Sequence, residues 1–185
     1  ECFVEAIQAQ PVTVEVSGPY GEKIQATYAR SGSRAVVEMA CAAGLPMVGE
    51  RRNPEATTTY GVGEVIRHAV EHGCDQILLG LGGSATNDGG CGAAAALGAR
   101  FYDEAGRGFV PTGGTLNQIS RIDLSELKPL MQKVRVTVMC DVENPLYGPT
   151  GAAHIFGPQK GADEATVERL DRGLRALDAA FPREL

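Results

Sequence analysis

The stretch "LLGLGGSATNDGG" (residues 78–90) sets five glycines around a serine, a threonine, an asparagine and an aspartate. An apolar run precedes it and an alanine-rich run follows, so it reads as a strand feeding a turn and then a helix. Such a turn leaves backbone N–H groups unpaired at the helix start, where the dipole favours an anion. Gly82 and Gly83 permit close approach to the backbone. Ser84, Thr86 and Asn87 add neutral donors. Asp88 is the odd residue, because a carboxylate repels phosphate unless a metal bridges them. It is therefore a candidate Mg²⁺ ligand, or a base for a substrate hydroxyl. The plainer alternative is that Asp88 and Asn87 cap the next helix.

Two further loops carry chemical residue types. In "CDVENPLYGPTGAAHIFGPQKGA" (140–162), Asp141 closes an apolar strand, where open α/β sheets place ligand-binding residues. Asn144 follows, and Gln159 and Lys160 occupy a glycine-flanked turn. The Lys160 ammonium suits a phosphate or a carboxylate; a solvated surface lysine is the alternative. In "NPEATTTYGVG" (53–63), three consecutive threonines offer hydroxyls and N–H groups to an anion, or one of them is an N-cap.

Other patterns are weaker. Gly80, Gly82 and Ala85 match the dinucleotide fingerprint, with Asp103 placed as a ribose-binding acid would be. However, "TNDGGCG" inserts polar and glycine residues before the helix, so a nicotinamide- or flavin-dependent oxidoreductase is a secondary reading. No glycine-lysine-Ser/Thr triplet occurs, so the chain is not a P-loop protein. Glu64, His68 and His72 recur every four residues, a spacing that suits a metal. They lie opposite Val65, Ile66, Ala69 and Val70, and the sequence predicts a solvated polar face there.

The positioning elements follow from periodicity. "VTVEVS" (12–17) alternates, "GPYGE" turns the chain, and "KIQATYA" resumes the pattern, predicting a hairpin. Residues 35–40 form a third strand candidate, or a strand running into a helical turn. A helix follows from Val62 to a stop at Gly73, then "DQILLGL" as a strand covered on both sides. "GGCGAAAALGARF" (89–101) reads as a small-residue helix, 106–119 as a long loop and 135–141 as a strand. A final helix over 163–181 carries a stripe of Val167, Leu170, Leu174, Leu177 and Phe181. The expected fold is one α/β domain over 1–185, with a mixed sheet of N-terminal hairpin strands and helix-separated strands.

The net charge of −6 and the lack of a Lys/Arg cluster beyond "ERRN" (50–53) argue against nucleic acid. No apolar run approaches the roughly 20 residues that span a bilayer, and no segment reads as a signal peptide. Five cysteines, at 2, 41, 74, 91 and 140, form no C-x-x-C pair, which fits reduced thiols in a cytoplasmic protein. The chain opens on Glu1 almost directly into apolar periodicity, and reads as an excised segment of a longer protein.

"RNPEATTTYGVGEVI", "GLGGSATNDGGCG" with "LGARFYDE" after it, and the 140–162 segment together resemble, in order, the signature segments of the bacterial class I glycerate kinases. The resemblance implies transfer of the ATP γ-phosphoryl group to D-glycerate, usually giving 2-phosphoglycerate, with Mg²⁺. It also implies a nucleotide-fold domain assembled from both ends of a longer chain, with a second α/β domain inserted between. This sequence resembles the inserted domain, with 1–10 and 163–185 as its edges. "ECFVEAI" resembles the end of the family's "DGGEGT" segment: Glu1 matches the glutamate, while Cys2 and Phe3 replace an expected glycine and threonine. Carried over residue by residue, the resemblance makes Gly82, Gly83, Ser84, Thr86 and Asn87 a substrate and phosphate cradle. Asp88 and Asp141 become carboxylates for Mg²⁺ or for the glycerate hydroxyl proton. Lys160 becomes the cation facing the transferring phosphoryl group, with Thr58, Thr59, Asn144 and Gln159 as supporting donors. A third possibility is a non-catalytic lid or oligomerisation module of a larger enzyme.

Overall fold

Alternating valines build the first hairpin as expected. In the computed structural model, which describes residues 9–182, β1 (Gln10–Ser17) and β2 (Lys23–Ser31) pair antiparallel, with Val12 opposite Tyr28 and Val16 opposite Ile24. β3 (Arg34–Glu38) joins β2 antiparallel and leads into two short helices, α1 (Ala40–Ala43) and α2 (Leu45–Val48). Helix α3 (Tyr60–Glu71) then returns the chain to β4 (Gln76–Gly80), which lies parallel to β3. Gly73 closes α3 with φ of 91°, the left-handed conformation that only glycine adopts freely.

The alanine-rich run departs from expectation. Helix α4 spans only Cys91–Ala96, and Gly98, at φ 111°, turns the chain out of the helix. Phe101 therefore belongs to β5 (Arg100–Tyr102) instead of the helix. Part of the expected 106–119 loop is β6 (Gly108–Phe109), and β7 (Arg121–Asp123) completes a small antiparallel sheet of order β6-β5-β7. Helix α5 (Leu127–Met131), absent from the sequence reading, precedes β8 (Arg135–Met139). The chain closes with α6 (Ala152–Phe156), a 3-10 turn at Pro158–Lys160, and α7 (Glu164–Ala180).

The main sheet has the order β1-β2-β3-β4-β8, antiparallel through β3 and parallel from β3 to β8, so the mixed sheet is confirmed. On one face, Val16, Val37, Val62, Val65, Ile66 and Ile77 form a core between the sheet and α3. Leu78 packs on the opposite face with Ala9, Ala29 and Val36 but stays half-buried, so β4 is buried on one face and only partly covered on the other, short of the two-sided cover its apolar run predicts. β8 is an edge strand with exposed Val136 and Val138. A second core gathers Phe101, Leu116, Val167, Leu170, Leu174 and Leu177 around α7. The stripe on α7 is as read, except that Phe181 lies past the helix end and is exposed.

The face of α3 that carries Glu64, His68 and His72 is not simply wet. Glu64 Oε2 accepts the Ser17 N–H at 2.6 Å, and the Tyr28 hydroxyl lies 3.2 Å from His68 Nδ1. The hairpin folds over this face and gives its polar groups protein partners. Among the described residues no group of three His, Cys, Asp or Glu side chains is arranged to hold a metal, and no helix is long and apolar enough to cross a membrane. Cys41, Cys74, Cys91 and Cys140 are free thiols. Glu1, Cys2 and Phe3, which resemble the end of the family's acidic glycine-rich segment, lie outside the described residues.

Candidate functional site

The parallel strands β3 and β4 end at one edge of the sheet, and the loop after β4 closes over that edge. Gly83 O accepts the Leu45 N–H at 2.9 Å, and Ser84 forms an isolated antiparallel bridge with Gly44. Beneath the loop is a cleft of 180 Å³. Ser84, Thr86, Asn87, Asp88, Gly89 and Gly90 line it from the loop. Met39, Thr59, Leu81, Leu146, Ala152, Leu174 and Lys160 close the rest.

Lys160 gives the largest surprise. Its 3-10 turn aims the side chain inward, leaving it only 9% exposed, and Nζ donates to the carbonyl of Thr86 at 2.6 Å. The turn is tightly held: Gly161 adopts φ of 96°, and a Cβ there would meet the Arg52 carbonyl at 2.7 Å. Arg52 Nη1 also donates to the Gln159 carbonyl at 3.1 Å. Burial lowers the Lys160 pKa to about 8, while the nearby charge of Asp88 acts in the opposite direction.

Asp88 is 1% exposed and accepts four hydrogen bonds. Oδ2 takes the Thr59 N–H and hydroxyl, each at 2.8 Å, and the Gly92 N–H at 3.2 Å; Oδ1 takes the Gly90 N–H at 3.1 Å. Burial pushes its carboxyl above the ordinary range against the pull of these donors. The carboxylate thereby satisfies N–H groups at the starts of both α3 and α4. Asn87, 6% exposed, carries a buried amide nitrogen with no hydrogen-bond partner.

The other predicted residues are dispersed. The Thr58 hydroxyl accepts the Tyr60 N–H at 3.1 Å, and Thr59 Oγ1 also accepts the Ala93 N–H at 2.9 Å. Thr58 therefore bonds locally, whereas Thr59 ties the start of α3 to Asp88 and to α4 and touches the cleft. Gly82 and Gly83 are exposed on the loop. Asp141 is exposed beyond β8 and outside the cleft lining, so the cleft does not unite it with Asp88. Asn144 donates to the Thr150 carbonyl at 2.9 Å, and Gln159 is exposed with its carbonyl held by Arg52. For Mg²⁺, the fit is poor at Asp88, whose oxygens already face four donors.

Sequence reasoning missed the apolar walls, Met39, Leu81, Leu146 and Leu174, whose residue types signal only packing. It also missed Asp171, 4% exposed, whose carboxylate accepts the Gly148 N–H at 2.6 Å and Arg175 Nε at 2.9 Å. A signal was present: Asp171 falls four residues after Val167 and three before Leu174, on the apolar stripe of α7. The dinucleotide reading fails at Asp103, which is bound by the backbone and side chain of Arg107 within its own turn.

The fold and cleft define an α/β domain that gathers buried hydrogen-bond donors at the carboxyl ends of its parallel strands. The model of the glycerate kinase family matches residues 1–185, and the chain belongs to that family. It is 48% identical over 188 residues to a glycerate kinase of Halalkalibacterium halodurans, covering 100% of this chain and 50% of the relative. It is 46% identical over 177 residues to glycerate 2-kinase of Escherichia coli K12, covering 94% and 46% respectively. A crystal structure from Salmonella typhimurium LT2, provisionally described as glycerate kinase 2, superposes with a TM-score of 0.89 at 46% identity. That match covers 93% of this chain and 47% of the other. The chain thus spans about half the length of the curated relatives it matches.

Proposed function

We propose that this chain forms part of a glycerate kinase, which moves the ATP γ-phosphoryl group to a hydroxyl of D-glycerate in the full-length protein. Its place there is that of an inserted domain, with the edges 1–10 and 163–185 leading to a nucleotide-fold domain. The observation that carries the reading is the burial of Lys160 against the glycine-rich loop. A lysine placed in a cleft, bonded to one carbonyl and forming no ion pair among the described residues, is a cation waiting for an anionic ligand.

The roles divide as follows. Ser84, Thr86, Asn87 and Lys160 bound the binding cleft, with Gly82 and Gly83 above it. Thr58, Thr59, Asn144 and Gln159 act by shaping the loops that surround it. Asp88 braces the site, because its oxygens are committed to N–H and hydroxyl donors. Asp141, exposed after β8, is the carboxylate free to take the hydroxyl proton or to touch the metal. Mg²⁺ would neutralise charge on the ATP phosphates, and an ion held mainly by phosphates needs few protein carboxylates. A cytoplasmic setting, with small-molecule partners only, completes the reading.

The test is ADP formation dependent on D-glycerate in the full-length protein, compared between wild type and Lys160→Met. The expected loss is about a hundredfold or more in kcat/KM. A folded variant with near-normal kinetics would return Lys160 to a packing role.

A further inference from the structure

We propose that the cleft beneath the 81–90 loop seats the carboxylate and carbon skeleton of the acid substrate, and that the nucleotide binds outside it. This rests on the kinase reading above.

Size is the first argument. The cleft encloses 180 Å³, whereas sites for cofactors and drug-sized ligands usually enclose about 300–1,000 Å³. A cleft of this size suits a three-carbon hydroxy acid and is too small for an adenine nucleotide.

The donors are the second. The Asn87 amide nitrogen is buried without a partner, and a buried donor is unfavourable until an acceptor reaches it. Lys160 is anchored on the carbonyl of the preceding residue, Thr86, and an ammonium has two further N–H groups to offer. Lys160, carried by the Pro158–Lys160 turn, thus meets the glycine loop at the residue next to Asn87. A carboxylate supplies two acceptor oxygens in one plane and a single negative charge for a single cation. Asp88, the acidic side chain in the lining, accepts four hydrogen bonds of its own and is thereby partly neutralised.

The walls are the third. Met39, Leu81, Leu146 and Leu174 present carbon to a ligand's carbon chain. A triphosphate in the same space would face apolar walls and one cation, leaving most of its charge without a partner.

The experiment uses the full-length protein. KM for D-glycerate and for ATP is measured separately in wild type, Asn87→Ala and Lys160→Met, and D-glycerate is titrated by calorimetry without nucleotide. The expected result is an increase of about tenfold or more in the glycerate KM and Kd, with the ATP KM within about twofold. An increase confined to the ATP KM, or no change in either, overturns the assignment. Should the variants not fold, trace acylation of Lys160 in wild type at slightly alkaline pH decides the matter by mass spectrometry. Glycerate should protect the lysine and ATP alone should not; the reverse pattern, or protection by neither, overturns the proposal. A wild-type protein that binds glycerate and protects Lys160 but forms no ADP sinks the kinase reading alone.

Discussion

One oxygen of Asp88 accepts both the N–H and the hydroxyl of Thr59, each at 2.8 Å, and so joins the start of α3 to the glycine loop. Gly90 and Gly92 donate to the same carboxylate from the start of α4. A side chain used in this way is a structural brace. Asp88→Asn exchanges an acceptor oxygen for a donor that faces other donors. The variant should lose about 3 kcal/mol of stability, read from urea unfolding of the full-length protein. Turnover per folded molecule should fall far less than the two orders of magnitude expected of a lost base. Unchanged stability with that large a kinetic loss would restore Asp88 as the base.

If Lys160 is the cation of the proposed site, ligand binding and stability should respond to pH in opposite directions. Burial holds its folded pKa at about 8, below the ordinary lysine value of 10.5. Below about 8 both states are protonated and the burial penalty is fully present. It fades as pH rises toward 10.5, so this group alone makes stability increase across that window. Over the same range the cleft loses its cation, and the glycerate Kd should rise about tenfold per pH unit above about 8. Calorimetry from pH 7 to 9.5 checks this, and Lys160→Met should flatten the dependence. A flat wild-type profile would place the lysine outside the binding equilibrium.

Asp171 clamps the wall that bears Leu146. Arg175 lies over the Tyr147 ring at 4.7 Å, and Tyr147 donates to Asp178 at 3.1 Å, so successive turns of α7 grip one loop. Burial alone would raise the Asp171 carboxyl, but the Gly148 N–H and the Arg175 guanidinium outweigh it and hold it below the usual range. Its stabilisation is therefore present above the unfolded pKa and lost as pH falls through the folded one. Asp171→Ala should cost about 2–3 kcal/mol and raise the glycerate KM more than it lowers kcat. Equal effects on both parameters would confine it to general stability.

Two glycines should separate packing from ligand approach. A Cβ at Gly63 would lie 2.3 Å from the Ala93 carbonyl, where α3 and α4 touch; at Gly82 it would meet no atom within 4 Å. Gly63→Ala should cost roughly 3 kcal/mol by overpacking. Gly82→Ala should leave the melting temperature nearly unchanged and reduce activity only if a ligand approaches that backbone. Full activity in a folded Gly82→Ala protein would remove it from the cradle.

What was legible in the sequence were periodic elements and the loops between them. The valines of β1, the stripe on α7 and the apolar run of β4 each express burial through residue type. Less legible were the places where tertiary packing overrides local pattern. The alanines continue a helical composition past Ala96, yet Gly98 redirects the chain and Phe101 finds a core on another sheet. His68 looked wet because its partner, Tyr28, lies 40 residues earlier. At the site, the lysine and the glycine loop were each suggestive alone, but their meeting depends on a 74-residue separation that no local pattern encodes.

The two cores also impose an order of arrival during synthesis. The core under the main sheet draws its buried residues from Val16 to Leu97, whereas the other needs α7 as far as Leu177. Translation at roughly 5–20 residues per second separates those points by several seconds. During that delay Asn87 has left the ribosome without Lys160 or Leu174 to enclose it. A nascent chain therefore holds the residues of the sheet's first strands before it holds those that complete the cleft.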